Sequence, residues 1–306
     1  MTGAAVLLMA YGTPGSPEEI EPYYTDIRRG NPPSPELLAD LVRRYEAIGG
    51  ISPLAERTRA QAAGLAAALE ARGAGDVGVT IGLKHASPKI EAAVDELVGA
   101  GVRRIVGLVL APHYSAGSVQ QYLDRARARA ADLDPAVEVL GVESWHLEPA
   151  YLDFLATGVR SRLAELPERT KVLFTAHSLP QRVVAGGDPY PEQLQATAEA
   201  VADRAGLLPW SSWAVAWQSA GRTPDPWLGP DVLEVLRDLA ATGRAEGALV
   251  CPCGFVADHL EVLYDLDIEA RGVAEDLGLA FARTPVLNDD AAVLGALADR
   301  VLALLR

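Results

Sequence analysis

Eight short apolar runs, most of them rich in β-branched residues, constrain this 306-residue chain more than anything else in it: Val6 to Ala10, Val77 to Leu83, Ile105 to Ala111, Val137 to Val142, Val172 to Ala176, Trp213 to Trp217, Ala248 to Cys251 and a weaker one at Leu279 to Ala282. Amphipathic helical patterns lie between or after most of them, at Pro88 to Gly101, Val119 to Leu133, Pro191 to Leu207, Asp231 to Thr242, Val256 to Leu277 and Asp290 to Leu305. Strands that read as continuous apolar runs and alternate with helices are covered on both faces, which is the pattern of parallel sheets in an α/β protein. The division into four runs and four predicts two Rossmann-like, doubly wound halves, each with a four-stranded parallel sheet. The boundary falls near Trp145 to Pro149, giving units 1–146 and 147–306, with the last helix expected to pack back on the first unit. The halves share no sequence repeat, so the duplication is one of topology.

One connection is too long. More than sixty residues separate Tyr11, at the end of the first run, from Val77, far beyond an ordinary crossover. An insert of about 14–74 is therefore expected, with three helical patterns broken at Gly30-Asn-Pro-Pro-Ser34 and Gly49-Gly-Ile-Ser-Pro53. Arg28, Arg29, Arg43 and Arg44 crowd into it. Guanidinium forks suit carboxylates and phosphates, although cations at helix ends also offset the macrodipole.

Those arginines stand out because the chain carries 27 basic against 41 acidic residues, a net charge of −14. Such a balance argues against nucleic acid or an anionic membrane as partner. The amino-terminal apolar run has no basic segment before it and no stretch is long enough to span a bilayer, so a cytoplasmic location is expected. Cys251 and Cys253 are the only cysteines, too few for a disulfide framework or a four-thiolate metal site. They read as reduced structural thiols.

The stretch Cys251 to Glu269 follows the seventh run and turns at Gly254 into a helical pattern, the kind of junction where α/β proteins place chemistry. At about 100° per residue, Asp258, Glu261, Asp265 and Glu269 fall on one face and Val256, Leu260 and Leu263 on the other. A solvated acidic face would account for the periodicity. No Lys or Arg lies between Gly254 and Ala270 to offset the repulsion, however, so the line is also a candidate path for cations. Of the five histidines, His177 ends the fifth run and should project toward the same crevice, His85 and His113 also follow runs, and His146 and His259 have weaker claims. A lone histidine at any of these places is also compatible with a structural, hydrogen-bonded role. No nucleophile elbow, dinucleotide fingerprint or Walker loop is present.

Seven segments, in order and spread over nearly the whole chain, resemble ferrochelatases: Met9-Ala-Tyr-Gly-Thr-Pro14, Arg44-Tyr-Glu-Ala-Ile-Gly-Gly-Ile-Ser-Pro-Leu54, Gly82-Leu-Lys-His85, Ala176-His-Ser-Leu-Pro180, Trp217-Gln-Ser219, Thr223-Pro-Asp-Pro-Trp-Leu-Gly-Pro230 and Gly254-Phe-Val-Ala-Asp-His-Leu-Glu-Val-Leu-Tyr-Asp265. The resemblance implies a porphyrin cleft between the two units, with the insert as its upper lip, and insertion of Fe²⁺ into the macrocycle as a step of heme biosynthesis. It implies a catalytic and metal-binding role for His177 and Glu261, and an outer metal site at Asp265 and Glu269. Tyr11 matches a tyrosine facing the iron in the Gram-positive branch, which acts on coproporphyrin III. Arg28, Arg44, Tyr45, Ser52 and Tyr122 match residues of that branch lining the macrocycle and its propionates. The carboxy-terminal extension and the [2Fe-2S] centre of other relatives do not carry over, because the chain stops at Arg306 with two cysteines. The resulting expectation is a monomer without a permanently bound cofactor, taking a porphyrin and Fe²⁺ as substrates and making transient contact with neighbouring enzymes of the pathway.

The chemistry asks for such residues on its own terms. Metallation removes two pyrrole protons and admits a dication, which calls for a base near neutral pKa and a donor that lets go. A sparse His and Glu pair holds a metal only in passing, whereas four closed ligands would trap it. The alternatives are a protoporphyrin IX ferrochelatase, a non-catalytic tetrapyrrole or heme carrier, and a chelatase of the sirohydrochlorin or cobalt type, which relies on paired histidines.

Overall fold

The computed structural model describes residues 3–209, 211–221 and 223–306. Two four-stranded parallel sheets organise the chain. The first comprises β1 (Ala4–Ala10), β2 (Gly78–Leu83), β3 (Arg104–Val109) and β4 (Glu138–Val142), and the second β5 (Thr170–His177), β6 (Trp213–Gln218), β7 (Gly247–Cys251) and β8 (Ala280–Arg283). Their orders are β2-β1-β3-β4 and β6-β5-β7-β8, the same topology twice. Every residue of β1 is buried, as expected of a central strand covered on both faces.

Helices α1 (Ile20–Ile27), α2 (Pro35–Ala47) and α3 (Leu54–Glu70) form the long insert between β1 and β2. Ser34 caps α2 by accepting from the Leu37 amide, with Pro35 in the first turn, so Asn-Pro-Pro-Ser works as both a stop and a start. α4 (Ile90–Gly99) and α5 (Val119–Leu133) pack against the first sheet. α6 (Pro149–Leu163), α7 (Gln181–Ala185), α8 (Tyr190–Ala205) and α9 (Val232–Thr242) follow. α9 begins with a reciprocal capping box between Asp231 and Glu234. Beyond β7 lie α10 (Leu260–Leu263), a π-helical segment (Asp265–Ala270) and α11 (Arg271–Asp276), and after β8 the chain ends in α12 (Ala291–Leu305). Among the described residues no helix is long and apolar enough to cross a membrane.

Here the structure corrects the sequence reading. The pattern over Val256 to Leu277 is not one helix: residues 256–259 are irregular, His259 is extended, and only then do the short α10, the π-helical segment and α11 follow. The Glu269 amide bonds to the Tyr264 carbonyl at 2.9 Å, a five-residue step that slips the register of the acidic line. Val262, Leu266 and Ala270 are fully buried, whereas Leu260 and Leu263 are half-buried. α6 is absent from the sequence reading although Tyr151, Leu152, Leu155, Ala156 and Val159 recur at helical spacing and form one buried face.

One apolar cluster runs from Val6, Leu8 and Val106 of the first sheet through α6 and α12 to Val172, Phe174 and Leu249 of the second. α12 lies against α3 and reaches back to the first sheet, where Arg104 donates to the Leu305 carbonyl at 2.9 Å and Arg72 bonds Asp299 through two nitrogens at 2.6 and 2.8 Å. The relation between the two sheets is therefore packed rather than hinged at its base.

Candidate active site

His177 is the last residue of β5, and β7, its neighbour in the sheet, delivers the chain that carries Glu261. In open α/β sheets ligands sit at the carboxyl ends of strands where the strand order reverses, and β5 and β7 flank that point. The turn after β7 lies directly on β5: the Gly254 amide donates to the Thr175 carbonyl at 2.9 Å. A Cβ at Gly254 would come within 2.4 Å of the Ala176 Cβ and 2.7 Å of its Cα, so no side chain fits without moving backbone. Gly254→Ala should therefore cost about 1–3 kcal/mol by overpacking and lower activity as well, because the residues displaced adjoin His177. Thermal unfolding and turnover measured on one preparation check both parts, and an unchanged Tm would refute the contact.

Two buried groups fix the remainder of the turn. Gln218, at the end of β6, accepts from Thr175 Oγ1 at 2.8 Å and donates to the Glu261 carbonyl at 3.1 Å. Tyr151 of α6 donates to the Cys253 carbonyl at 2.7 Å. Cys251 and Cys253 are free and fully buried, and burial pushes both thiols up, Cys251 to about 12. They remain protonated, which suits packing and not metal ligation.

Glu261 stands between two imidazoles. Its Oε1 lies 3.6 Å from His177 Nε2 and its Oε2 lies 3.6 Å from His259 Nε2. The Nδ1 of each ring is taken by a backbone carbonyl, Ser178 O at 2.5 Å and Ala257 O at 2.9 Å, so both rings turn Nε2 to the carboxylate. Burial opposes the charge on Glu261, but His177, His259 and, farther off, Arg44 outweigh it and hold the carboxyl below its usual range. At His259 burial likewise opposes protonation, and the bond and charge of Glu261 outweigh it and raise the ring's pKa. Sequence reasoning ranked His259 low. Its signal was its place two residues before Glu261, which becomes meaningful only once the chain there is extended.

The acidic line acquires cations that its own segment lacks. Asp265 is bonded to Ser219 Oγ at 2.5 Å and to Arg44 at 3.4 Å. Burial and then the Glu261 charge push the Asp265 carboxyl up to about 7, against the pull of Ser219 and Arg44. Asp258 does not join the line: it turns away to Arg283 at 3.1 Å and Asn288 at 2.8 Å. Glu269 is exposed. Among the described residues no group of three or more His, Cys, Asp or Glu closes into a metal-holding cluster.

Residues of the insert between β1 and β2 reach this arrangement. Arg43 donates to the Tyr264 hydroxyl at 2.7 Å, and the Arg44 guanidinium lies 4.9 Å over the Tyr264 ring while pairing with Asp40 at 3.1 Å. Tyr11, just past β1, is 42% exposed with its ring 4.6 Å from His85. Burial and then the Glu261 charge push the Tyr45 phenol up to about 12, against the pull of the Thr13 hydroxyl. Tyr45 is buried with its hydroxyl 3.5 Å from Thr13 Oγ1, and Tyr122 is buried beneath the Lys84 ammonium, 5.1 Å from the ring centroid. Ser52 is buried and accepts from the Leu54 amide at the start of α3. Arg28 is half-buried at the end of α1, bonded to the Asn31 carbonyl at 3.3 Å. His85 pairs with Asp26 at 2.7 Å, and His113 is buried against Thr197, so neither reaches Glu261's carboxylate.

A family model described as Ferrochelatase matches residues 3–304. The chain belongs to the ferrochelatase family. The coproporphyrin III ferrochelatase of Anoxybacillus flavithermus is 46% identical over 306 residues, covering 98% of this chain and 96% of that protein. The one from Bacillus subtilis is 46% identical over 302 residues, covering 97% and 96%. Among solved structures, CbiX, described as the terminal enzyme of siroheme biosynthesis in denitrifying bacteria, matches at a TM-score of 0.55 and 17% identity over 99% of this chain and all of that one. SirB from Bacillus subtilis with Fe³⁺ matches at 0.54 and 16%, covering 79% of this chain and 88% of that one. At such identities these two speak for the chelatase fold alone. Membership of the ferrochelatase family matches the seven segments, and these account for much of the site: Ala-His-Ser-Leu-Pro supplies His177, Trp-Gln-Ser supplies the Gln218 and Ser219 bonds, and the Gly254 to Asp265 segment supplies Glu261.

Proposed function

We propose that this chain inserts Fe²⁺ into coproporphyrin III, forming the iron porphyrin of heme biosynthesis. The observation that carries the reading is the His177 and Glu261 pair, 3.6 Å apart at a strand-end crevice, with the imidazole lone pair and the carboxylate aimed at each other. Two unprotonated donors face to face repel unless a cation lies between them. Two metal–ligand bonds of about 2.1 Å each span such a gap at an angle of roughly 120°. His177, its Nδ1–H donated to Ser178 O, has Nε2 free to take a proton from a pyrrole N–H. A second pyrrole proton has Glu261 as its acceptor, with His259 behind to share it. Both N–H electron pairs pass to the iron, and two protons leave for each Fe²⁺ gained.

The lip supports the choice of porphyrin. Coproporphyrin III presents four propionates where protoporphyrin IX presents two, and Arg28, Arg44, Tyr45, Ser52 and Tyr122 offer donors around the crevice of a chain whose net charge is −14. Relatives 42–47% identical over nearly the whole chain carry the name coproporphyrin III ferrochelatase. Charge-assisted bonds contribute roughly 1.5–3 kcal/mol each, so removing two carboxylates should lower kcat/KM by roughly ten- to a thousandfold. Coproporphyrin III is thus expected to be the better substrate in an anaerobic assay with Fe²⁺, and Arg44→Ala to narrow the gap. Equal or higher kcat/KM for protoporphyrin IX would overturn the substrate while leaving metal insertion standing.

The same reading has iron as substrate and no resident cofactor, in a cytoplasmic monomer that meets neighbouring enzymes of the pathway in passing. Two buried protonated thiols in place of a four-cysteine set support the absence of a [2Fe-2S] centre. Asp265 and Glu269 remain the outer metal-binding residues of this proposal, Asp265 becoming available when Arg44 turns to a propionate.

A further inference from the structure

Glu261 lies in a segment built from a single short helical turn and a π-helical stretch. α10 has four residues and the segment that follows is π-helical, so hydrogen bonding within the element specifies little of where the carboxylate stands. Besides the bonds already described, one residue at the end of β8 ties the segment at both ends. Arg283, only 16% exposed, bonds Asp267 through Nε and Nη2, both at 2.8 Å, and bonds Asp258 Oδ1 through Nη2 at 3.1 Å. Asp258 precedes His259 and Glu261, and Asp267 follows Asp265, so a single guanidinium ties together both ends of the arc that carries them.

Each tie is seated in rigid structure. Arg283 is in register with Val250 of β7, and Nη1 also reaches the Thr284 carbonyl at 3.3 Å. Asp258 Oδ2 accepts from Asn288 Nδ2 at 2.8 Å, and the Asp258 amide returns a bond to Asn288 Oδ1 at 2.9 Å. Asn288 in turn is fixed by Gln61, whose amide donates to the carbonyls of Val256 and Asn288, both at 2.9 Å. A continuous path therefore runs from His177 on β5 across β7 and β8 through Arg283 to the segment bearing Glu261. On the far side of Glu261, Gln218 donates to its backbone carbonyl at 3.1 Å.

We propose that Arg283 is a positioning residue for metal insertion: it clamps Asp258 to Asp267 and thereby sets the distance of Glu261 from His177, without touching porphyrin or metal. The inference rests on the metal-insertion reading above. A planar fork that grips one carboxylate bidentately and reaches a second is a geometry lysine cannot reproduce in full. A misplacement of about 1 Å at a reacting group can lower a rate by about a hundredfold.

The test uses the whole chain, anaerobically, with Fe²⁺ and coproporphyrin III, and compares Arg283→Ala, Arg283→Lys and Asp267→Asn with the parent. Arg283→Ala should lower kcat by about ten- to a hundredfold with KM for porphyrin within about threefold. Arg283→Lys should recover part of that loss, and Asp267→Asn should show a smaller one of the same kind. Amide hydrogen exchange of residues 258–267 should quicken in the alanine variant and remain unchanged in β7. A folded alanine variant with kcat within twofold of the parent and unchanged exchange would overturn the clamp, as would a loss confined to KM. Should the alanine variant not fold, Asp267→Asn and the lysine variant decide by the same measures. Failure of the parent to insert metal would sink the proposed function instead, and the exchange pattern would still report on the clamp.

Discussion

His177→Ala should lower metal insertion by roughly 10²- to 10⁴-fold while porphyrin binding stays within a few-fold of the parent, the loss expected when general-base action is removed. The geometry says why binding should survive. The His177 ring contributes one nitrogen toward Glu261 and lies 6.3 Å, centroid to centroid, from the Trp227 ring, so its part at the crevice is chemical and not that of a wall. Alanine also removes one of the three groups that hold Glu261 charged, which leaves His259 beside that carboxylate and Arg44 farther off. Quenching of porphyrin fluorescence gives the affinity, and anaerobic formation of the iron product gives the rate. A folded His177→Ala protein that inserts metal at near the parent rate would remove His177 from the chemistry altogether.

Glu261→Gln should be of comparable severity, a hundredfold or more, and larger than the effect of Asp265→Asn or Glu269→Gln. The amide keeps the shape of the side chain, and the bond from Gln218 goes to the backbone carbonyl, so the segment should stay in place. What is lost is the charge between His177 and His259, hence both the acceptor for a pyrrole proton and the attraction for a dication. Asp265 differs because Arg44 and Ser219 already engage it, so its replacement should act mainly through metal supply and through the contact with the lip. Glu269 is exposed and should matter least. Parallel assays over a range of Fe²⁺ concentration separate these roles: the Glu261 variant should lose kcat at saturating metal, and the other two should be largely rescued by it. Equal losses that no metal concentration rescues would indicate that the three carboxylates share a role in holding the segment together.

Sequence by itself determined the strands. A strand buried on both faces must be apolar throughout, and parallel order demands a crossover helix after each one, so all eight runs and most of the helices between them are legible, α5 with the same limits, Val119 and Leu133. The place of His177 at the end of a strand was legible too, whereas its pairing with Glu261 came from the resemblance to ferrochelatases and not from a local pattern. Tertiary structure alone decided how the segment after β7 is shaped and charged. Periodicity assumes one regular helix, and the π-helical step with its extended approach breaks that assumption at the place where the chain crosses onto β5. The cations that answer its carboxylates come from Arg44 in the lip and Arg283 on β8, residues far off in sequence whose approach no local pattern encodes. His259 became a partner of Glu261 for the same reason: charge pairing in a folded crevice depends on distance through space, and hydrophobic periodicity carries no information about it.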